Sequence, residues 1–243
     1  MIIAEQHRTL QIGNEAIPYH LHRGKPNRVR LFFDEDMTLC IETSTGALGD
    51  FDRQFLASKQ RWILKNFRTQ QDAAQQKQTL LAMLDRQVPI LGTNTEIAFQ
   101  PDSRSYFKYK KGEPFTVFAP ARYLKGHKKK VLYFALREFA ARYLERKVEE
   151  WAERTDSDYN RLRVKDHRSK WGSCSALRNI NLNWQLIFLE EELIDYVVIH
   201  ELMHLREMNH SSRFWAWVEK FCPDYKLSRK KLKEKSWLIG VLN

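Results

Sequence analysis

The sequence predicts an α+β fold, with a β-rich region in residues 1–115 followed by a second domain in residues 116–243. Short runs of β-forming residues near the N-terminus, such as Val29–Phe33 and Thr38–Ile41, predict strands. A long amphipathic pattern from about Ala121 to Arg154 predicts a helix with one core-facing stripe. After residue 178 an alternating strand pattern gives way to an apolar helical one. Strands and helices in separate runs are typical of the α+β class.

The first region contains one helical pattern among its strands. It extends from about Asp52 to Phe67, and its apolar residues recur near helical spacing. The Gln-rich stretch Gln70–Gln78 is expected to be a solvated helix end or a linker. Further strands are predicted at Ile97–Phe99 and Thr116–Phe118, and Pro120 marks the boundary to the long helix.

The second domain combines strands with helices. Strands are predicted around Leu162–Asp166 and Lys170–Ser175. A third is expected over Asn179–Leu186, where Ile180, Leu182, Trp184 and Leu186 alternate with polar amides. We expect the apolar face of this strand to be buried. The amide face is expected either to be solvated or to pair with an extended peptide as an added strand.

Composition and charge narrow the class of protein. With 43% hydrophobic and 29% charged residues in 243, the chain is neither disordered, collagen-like nor a disulfide framework. Its net charge is +11, and most of the excess lies after residue 110, where 26 basic residues face 18 acidic ones. Such a surface attracts polyanions and acidic partners. The sequence says nothing about the oligomeric state.

Cysteine usage and the absence of targeting segments indicate a cytoplasmic protein. The odd number of cysteines, Cys40, Cys174 and Cys222, suits reduced thiols. The start of the chain lacks the features of a signal peptide, and no apolar run approaches the roughly 20 residues of a membrane span. Cys174 is interpreted as a small strand residue and not as a nucleophile, because little around it would lower its pKa.

The pentapeptide His200-Glu201-Leu202-Met203-His204 fits the H-E-x-x-H pattern. On a helix, residues four apart are separated by about 40° around the axis and about 6 Å along it, so both imidazoles can bind one metal ion. Glu201 points about 100° away and can reach a water or substrate beside that ion. Leu193 and Val197 lie on the histidines' side, which indicates a core-facing stripe. Buried imidazoles are costly without a partner, so a metal site is favoured over two core histidines.

A tetrahedral catalytic zinc needs three protein ligands and keeps its fourth position for water. His210 follows His204 by six residues, the spacing of the third ligand in the extended H-E-x-x-H-x-x-G-x-x-H pattern. Glu219 is the alternative third ligand, ranked behind His210. No methionine follows Met208, so the Met-turn of the metzincins is absent.

The turn that carries His210 departs from the extended pattern at one position. Glu207 occupies the place of its glycine, and we expect Asn209 to adopt the left-handed conformation instead. Ser211 or Ser212 is expected to cap the next helix, which ends before Pro223.

Five stretches of the second domain carry a family resemblance. They are Trp171–Ser175, Ile180–Asn183, Asp195–Leu205, Asn209–Ser211 and Phe214–Trp215. Over about residues 161–222 the chain resembles the YgjP-like metal-dependent hydrolases, relatives of the SprT-like zinc metalloproteases. The resemblance implies a zincin-like catalytic domain, zinc bound by His200, His204 and His210, and Glu201 as catalytic acid and base. Leu189 stands where such sequences often have proline, which leaves the implied ligands unaffected.

Three functions remain open at this point. The family is described both as peptidases and as nucleoside triphosphate pyrophosphatases, so a zinc peptidase and a UTP pyrophosphatase are both expectations. A three-histidine site suits zinc better than the magnesium that phosphate cleavage usually recruits, which favours a peptide or protein substrate. The third possibility is a nucleic-acid-binding protein with a structural zinc. Its groove would use Lys128–Lys130, the basic residues of 161–170 and Lys226–Lys235.

Overall fold

The computed structural model describes residues 8–26, 28–34 and 38–242. The expectation about a signal peptide rests partly on residues 1–7, which lie outside these ranges. The strands are β1 (Arg8–Ile12), β2 (Glu15–Arg23), β3 (Arg30–Phe33), β4 (Leu39–Thr43), β5 (Gln87–Ile90), β6 (Thr93–Pro101), β7 (Tyr106–Lys108), β8 (Phe115–Ala119), β9 (Arg161–Lys165), β10 (Gly172–Cys174) and β11 (Asn179–Asn183). The helices are α1 (Asp50–Ser58), α2 (Gln60–Met83), α3 (Ala121–Gly126), α4 (Lys128–Arg154), α5 (Glu191–Met203), α6 (Ser212–Phe221) and α7 (Tyr225–Glu234). The predicted α+β class is confirmed.

The chain forms two compact units, residues 1–76 and 77–243. The first has a four-stranded sheet in the order β1-β2-β4-β3, in which β2 and β4 are parallel and the other pairs antiparallel. Its core consists of apolar residues from the strands and from helices α1 and α2, including Ile17, Leu39, Ile41, Leu56, Ile63 and Phe67. The strands predicted in this region are therefore confirmed, whereas the helical pattern from Asp52 to Phe67 forms two helices, α1 and the start of α2, separated at Lys59. Within the described ranges, no helix has both the length and the apolar character to cross a membrane.

The Gln-rich stretch Gln70–Gln78 lies within α2, so its interpretation as a helix end or linker is wrong. Glutamine and alanine both have good helix propensity, so a solvated stretch of them can continue a helix. Leu80 and Leu84, just beyond it, are buried in the core of the second unit. The boundary between the units falls inside this helix.

The second unit begins with a sheet in the order β5-β6-β8-β7. Val88, Ile90, Phe115 and Val117 of this sheet share one core with the residues of α4 and α5. The division at 115/116 suggested by the sequence falls at the first residue of β8, inside this unit. Since β8 pairs in parallel with β6, the strands before residue 115 belong to the same sheet and core as the helices after it.

The long helix predicted from Ala121 to Arg154 is two helices. His127 separates α3 from α4 with φ −136°, which is outside the helical region. The predicted apolar stripe is confirmed for Leu132, Ala135, Phe139, Tyr143, Val148 and Trp151, which are buried, and Val131 is half-buried.

The smaller sheet of this unit has the order β10-β11-β9, with β9 parallel and β10 antiparallel to β11. Both edges of β11 are therefore occupied, and the expectation that it could pair with a peptide is wrong. The two free edges of this sheet belong to β9 and β10.

The strand predicted up to Leu186 ends at Asn183, where a short 3₁₀ helix, Trp184–Phe188, begins. Asn183 and Gln185 are fully buried, so the amide face is not solvated there as expected. The side chain of Asn183 donates to the carbonyls of His167 and Lys170 (3.2 and 3.4 Å) and accepts from the amide of Gln185. These hydrogen bonds offset the cost of burying the amide.

Candidate metal centre

Helix α5 carries the H-E-x-x-H pattern through the centre of the second unit. It is buried on most sides, as its apolar sequence predicts; its buried apolar residues are Leu193, Ile194, Tyr196, Val197, Val198, Ile199, Leu202 and Met203. Glu191 and Glu192 lie in its first turn, where they favour the helix dipole. Asp195 accepts hydrogen bonds from Trp151 (2.9 Å) and forms an ion pair with Lys147 (3.0 Å). These contacts with α4 fix the helix in rotation as well as in position.

Three imidazoles converge at the end of α5. The ring nitrogens of His200, His204 and His210 that face one another lie within 4.8 Å. The Nε2 atoms of His200 and His210 are 3.1 Å apart, and the three ring centroids are 4.8–5.0 Å from one another. In the part of the chain that the structure describes, this is the one cluster of potential metal ligands. Glu219 is exposed on α6 and is not part of it.

His204 is the C-cap of α5, and its orientation is set by the backbone of the following turn. Its Nδ1 lies 3.0 Å from the carbonyl oxygen of Glu207. That contact directs Nε2 towards the other two histidines. Glu207, which replaces the glycine of the extended pattern, also forms an ion pair with Arg213 at 2.9 Å. The turn is therefore held by side chains that a glycine could not supply.

His210 is placed by a turn of a different kind from the one expected. Asn209 does not have a positive φ, so the left-handed conformation predicted for it is wrong. Its side-chain oxygen accepts a hydrogen bond from the amide of Ser211 at 3.0 Å, and this local bond makes the turn without a strained residue. Ser211 in turn accepts from the amide of Phe214, which makes it the N-cap of α6 as predicted. That helix ends at Phe221, before Pro223.

Aromatic rings hold the imidazole of His210, although it lies on an exposed turn. Trp215 stacks on it with a centroid distance of 5.5 Å, and Phe214 meets it edge-on at 4.9 Å. Trp215 also stacks on Tyr225 at 5.1 Å and contacts the guanidinium of Arg229 at 5.0 Å. In the sequence, Phe214 and Trp215 stand out only as part of the family resemblance. Their ring contacts depend on how α6 and α7 pack, which spacing does not reveal.

Glu201 lies beside the cluster and is 6% exposed. Burial raises the pKa of its carboxyl group to about 8, although Lys170 and the backbone amide of Cys174 favour the charged form. Strand β10 passes very close to it: a Cβ atom on Gly172 would lie 2.7 Å from Oε1 of Glu201. Only glycine lets the strand pass here without displacing the carboxylate.

Cys174 does not have the environment of a nucleophile. Burial and the nearby Glu201 raise the pKa of its thiol to about 11. A reactive cysteine requires the opposite shift.

Burial keeps two of the histidines uncharged. It lowers the pKa of His200 to about 3, with smaller contributions from His204, His210 and Arg229. Burial also lowers the pKa of His204. Neutral imidazole is the form that binds a metal ion. Three nitrogen donors without a carboxylate among them form a set that suits a divalent transition-type ion, so the residues present fit a metal centre.

Comparison with known protein families also indicates a metallopeptidase. A family model described as YgjP-like, metallopeptidase domain, matches residues 27–235, which extends well beyond the 161–222 on which the sequence resemblance rests. Comparison with curated proteins gives no match.

Two crystal structures of metallopeptidase zymogens are similar to part of the chain. Abylysin from Pyrococcus abyssi is 28% identical over 38% of this chain and 93% of its own, with a TM-score of 0.35. Jannalysin from Methanocaldococcus jannaschii is 21% identical over 36% of this chain and 94% of its own, with a TM-score of 0.32. The family match spans most of the sequence, and the chain belongs to the YgjP-like metallopeptidase family.

Proposed function

We propose that this chain is a zinc-dependent metallopeptidase in which His200, His204 and His210 are the metal ligands and Glu201 is the general acid and base. Its family implies a metal-dependent hydrolase with a divalent metal ion and a peptide or protein substrate. The observation that carries the finer proposal is the convergence of three imidazoles together with the buried carboxylate of Glu201, the residue after His200 on α5. Three histidines leave one position of a tetrahedral zinc open, as hydrolytic sites require and structural sites do not.

Each residue has a distinct part in the reaction. A zinc ion held by His200, His204 and His210 would supply Lewis-acid chemistry for the hydrolysis. Glu201 takes the proton of the attacking water and returns it to the leaving amine. The amide of Cys174 and the close approach of Gly172 hold its carboxylate in one place. Proton transfer then needs little rearrangement of the protein.

The free edge of β10 offers a place for the substrate. Trp171 and Ser175, which flank the strand, form their backbone hydrogen bonds with β11. The backbone groups of Gly172 and the carbonyl of Cys174 therefore point the other way, since alternate residues face opposite edges of a strand. An extended peptide added to this edge would pass Glu201, and its main chain would be recognised largely independently of sequence.

A paired assay tests the proposal. Metal content and hydrolysis of casein and of UTP are measured on the purified chain and on Glu201→Gln and His200→Ala. We expect zinc in the parent chain and in Glu201→Gln, and its loss in His200→Ala. Casein hydrolysis should fall about 10²–10⁴-fold in Glu201→Gln, because general acid and base catalysis is removed.

Two outcomes would contradict the proposal. Hydrolysis of UTP but not of casein, lost in Glu201→Gln, would assign the site to a pyrophosphatase. Casein hydrolysis unaffected in Glu201→Gln would remove that residue from the reaction.

A further inference from the structure

A stretch of the second unit around the start of α4 carries positive charge without counter-ions. No Asp or Glu occurs between Glu113 and Glu138, whereas this interval contains Arg122, Lys125, Lys128, Lys129, Lys130 and Arg137. Arg137 pairs with Asp166. Across the described ranges, the other five cations form no ion pair. Their charge is therefore available to a partner.

The position of these lysines is unfavourable for the isolated chain. Lys128, Lys129 and Lys130 form the first turn of α4, where the helix dipole is positive and acidic residues are preferred. Helix α5 shows the usual arrangement, with two glutamates in its first turn. A bound anion would offset both the repulsion among the lysines and their repulsion from the dipole.

Two hollows meet at these lysines. One, of about 870 Å³, is lined by residues 124–130 together with Phe99, Pro101, Ala121 and a single carboxylate, that of Asp85. The second, of about 380 Å³, is lined by Ser105, Tyr123, His127, Lys130, Val131 and Phe134. His127 and Lys130 belong to both, so the hollows form one continuous surface.

Exposed aromatic rings border the second hollow. The side chain of Phe134 is 63% exposed and that of Tyr123 is 40% exposed. Phe134 lies one helical turn after Lys130, on the same face of α4. The guanidinium of Arg122 lies 4.9 Å from the centroid of the Tyr123 ring and adds a further positive charge. Large rings left in water beside unpaired cations are the combination that binds bases and phosphates together.

We propose that this basic aromatic surface, formed by Tyr123, Lys125, Lys128, Lys129, Lys130 and Phe134, binds single-stranded nucleic acid. The lysines neutralise successive phosphates, and Tyr123 and Phe134 stack on bases. An acidic peptide would use the charges but would leave the ring faces in water. A duplex would hide its bases from them, which is why the single-stranded form is favoured.

The test is fluorescence anisotropy of a labelled oligothymidylate of about 20 nucleotides, longer than the 4–16 that one such site covers. Phe134→Ala should weaken binding about five- to a hundredfold, as expected for the loss of one stacked base. Phe51→Ala is the matched control, because Phe51 is 73% exposed on the first unit. It should leave binding unchanged. Circular dichroism confirms that each variant folds.

The contribution of the lysine charges to binding is tested with two triple variants that have the same net charge. A triple variant with Lys128, Lys129 and Lys130 replaced by Gln should reduce the slope of log affinity against log salt by about 2, since each contact contributes about 0.7. The same change at Lys230, Lys231 and Lys233 of α7 should leave the slope nearly unaltered. Equal losses in both triples would overturn the proposal in favour of unspecific attraction to a basic protein.

Competition experiments with unlabelled polyanions identify the class of ligand. Unlabelled single strands should displace the probe, whereas polyglutamate and duplex DNA of equal charge should compete poorly. Polyglutamate competing as well as the single strand would assign the surface to acidic peptides. Equal binding of duplex DNA, with no effect of Phe134→Ala, would exclude base stacking.

Discussion

Gly172 determines how closely strand β10 approaches Glu201. A methyl group in its place would lie 2.7–3.0 Å from three side-chain atoms of Glu201, namely Oε1, Cγ and Cδ, well inside normal contact distance. The side chain of Glu201 is buried and has little room to move away. A glycine at this position therefore serves the geometry of the site and not the flexibility of the strand.

Gly172→Ala is expected to reduce both stability and activity. Overpacking should cost about 1–3 kcal/mol in the free energy of unfolding, measured by urea denaturation. Casein hydrolysis should fall more than stability accounts for, because the carboxylate is displaced. Gly126→Ala is the control, since a Cβ there meets nothing within 4 Å. An active Gly172→Ala with unchanged stability would show that Glu201 can move without consequence.

Trp215 contacts His210, the candidate ligand that lies beyond both α5 and its C-cap. Trp215→Ala removes the ring that stacks on His210 and should weaken zinc binding about tenfold, the order expected when the support of a ligand is lost. Trp215→Phe keeps a ring and should restore most of the affinity. Competition with a zinc-sensitive dye measures both. Equal affinity in all three proteins would contradict the role of the stack.

At the scale of elements, the junction between β11 and the 3₁₀ helix organises the loop before β10. The buried Asn183 side chain joins the carbonyls of His167 and Lys170 to the amide of Gln185. This one side chain ends the strand, caps the next element and fixes the loop from which Lys170 influences Glu201. A buried amide with these partners is more costly to remove than a surface one.

Asn183→Ala should lower the free energy of unfolding by about 1–3 kcal/mol, because buried carbonyl and amide groups lose their partner. Asn181→Ala, two residues earlier on the same strand, is the comparison. Asn181 donates one bond to Ser173 and is only half-buried, so its loss should cost about 0.5–1.5 kcal/mol. Chemical denaturation of both variants measures the difference, and equal costs would contradict it.

At the scale of the whole molecule, the two units have separate hydrophobic cores. The candidate ligands all belong to the second unit. A ligand that binds only the folded state raises stability in proportion to the logarithm of its concentration. Zinc should therefore stabilise the unit that holds the histidines and leave the first unit unaffected.

Calorimetry of the chelated and zinc-loaded chain tests this expectation. At a free zinc concentration about a hundred times Kd, linkage adds about 2.7 kcal/mol. For a unit of this size, the corresponding rise in Tm is about 5–10 °C. The rise should disappear in His204→Ala. A similar rise in that variant would mean that zinc binds elsewhere.

Features that depend on short spacing along the chain could be predicted from the residues alone. The pair His200 and His204, with Glu201 between them, follows from helical geometry over five residues. The α+β class and the apolar character of α5 follow from local periodicity in the same way. The cap at Ser211 is also local, because a serine hydroxyl satisfies a backbone amide three residues later.

The remaining features could not be predicted in this way, because they depend on contacts between residues far apart in the chain. A glycine at position 172 of a strand indicates a bulge or a close approach of another segment, but only packing shows that Glu201 is the group that approaches. Asn183 and Gln185 look solvent-facing because alternation does not reveal a partner such as the amide of Gly240. The unpaired lysines of α4 are visible as composition, and Phe134 follows Lys130 by one helical turn, but the approach of Tyr123 depends on how α3 packs on α4. Local patterns specify which groups can react, and packing specifies which of them meet.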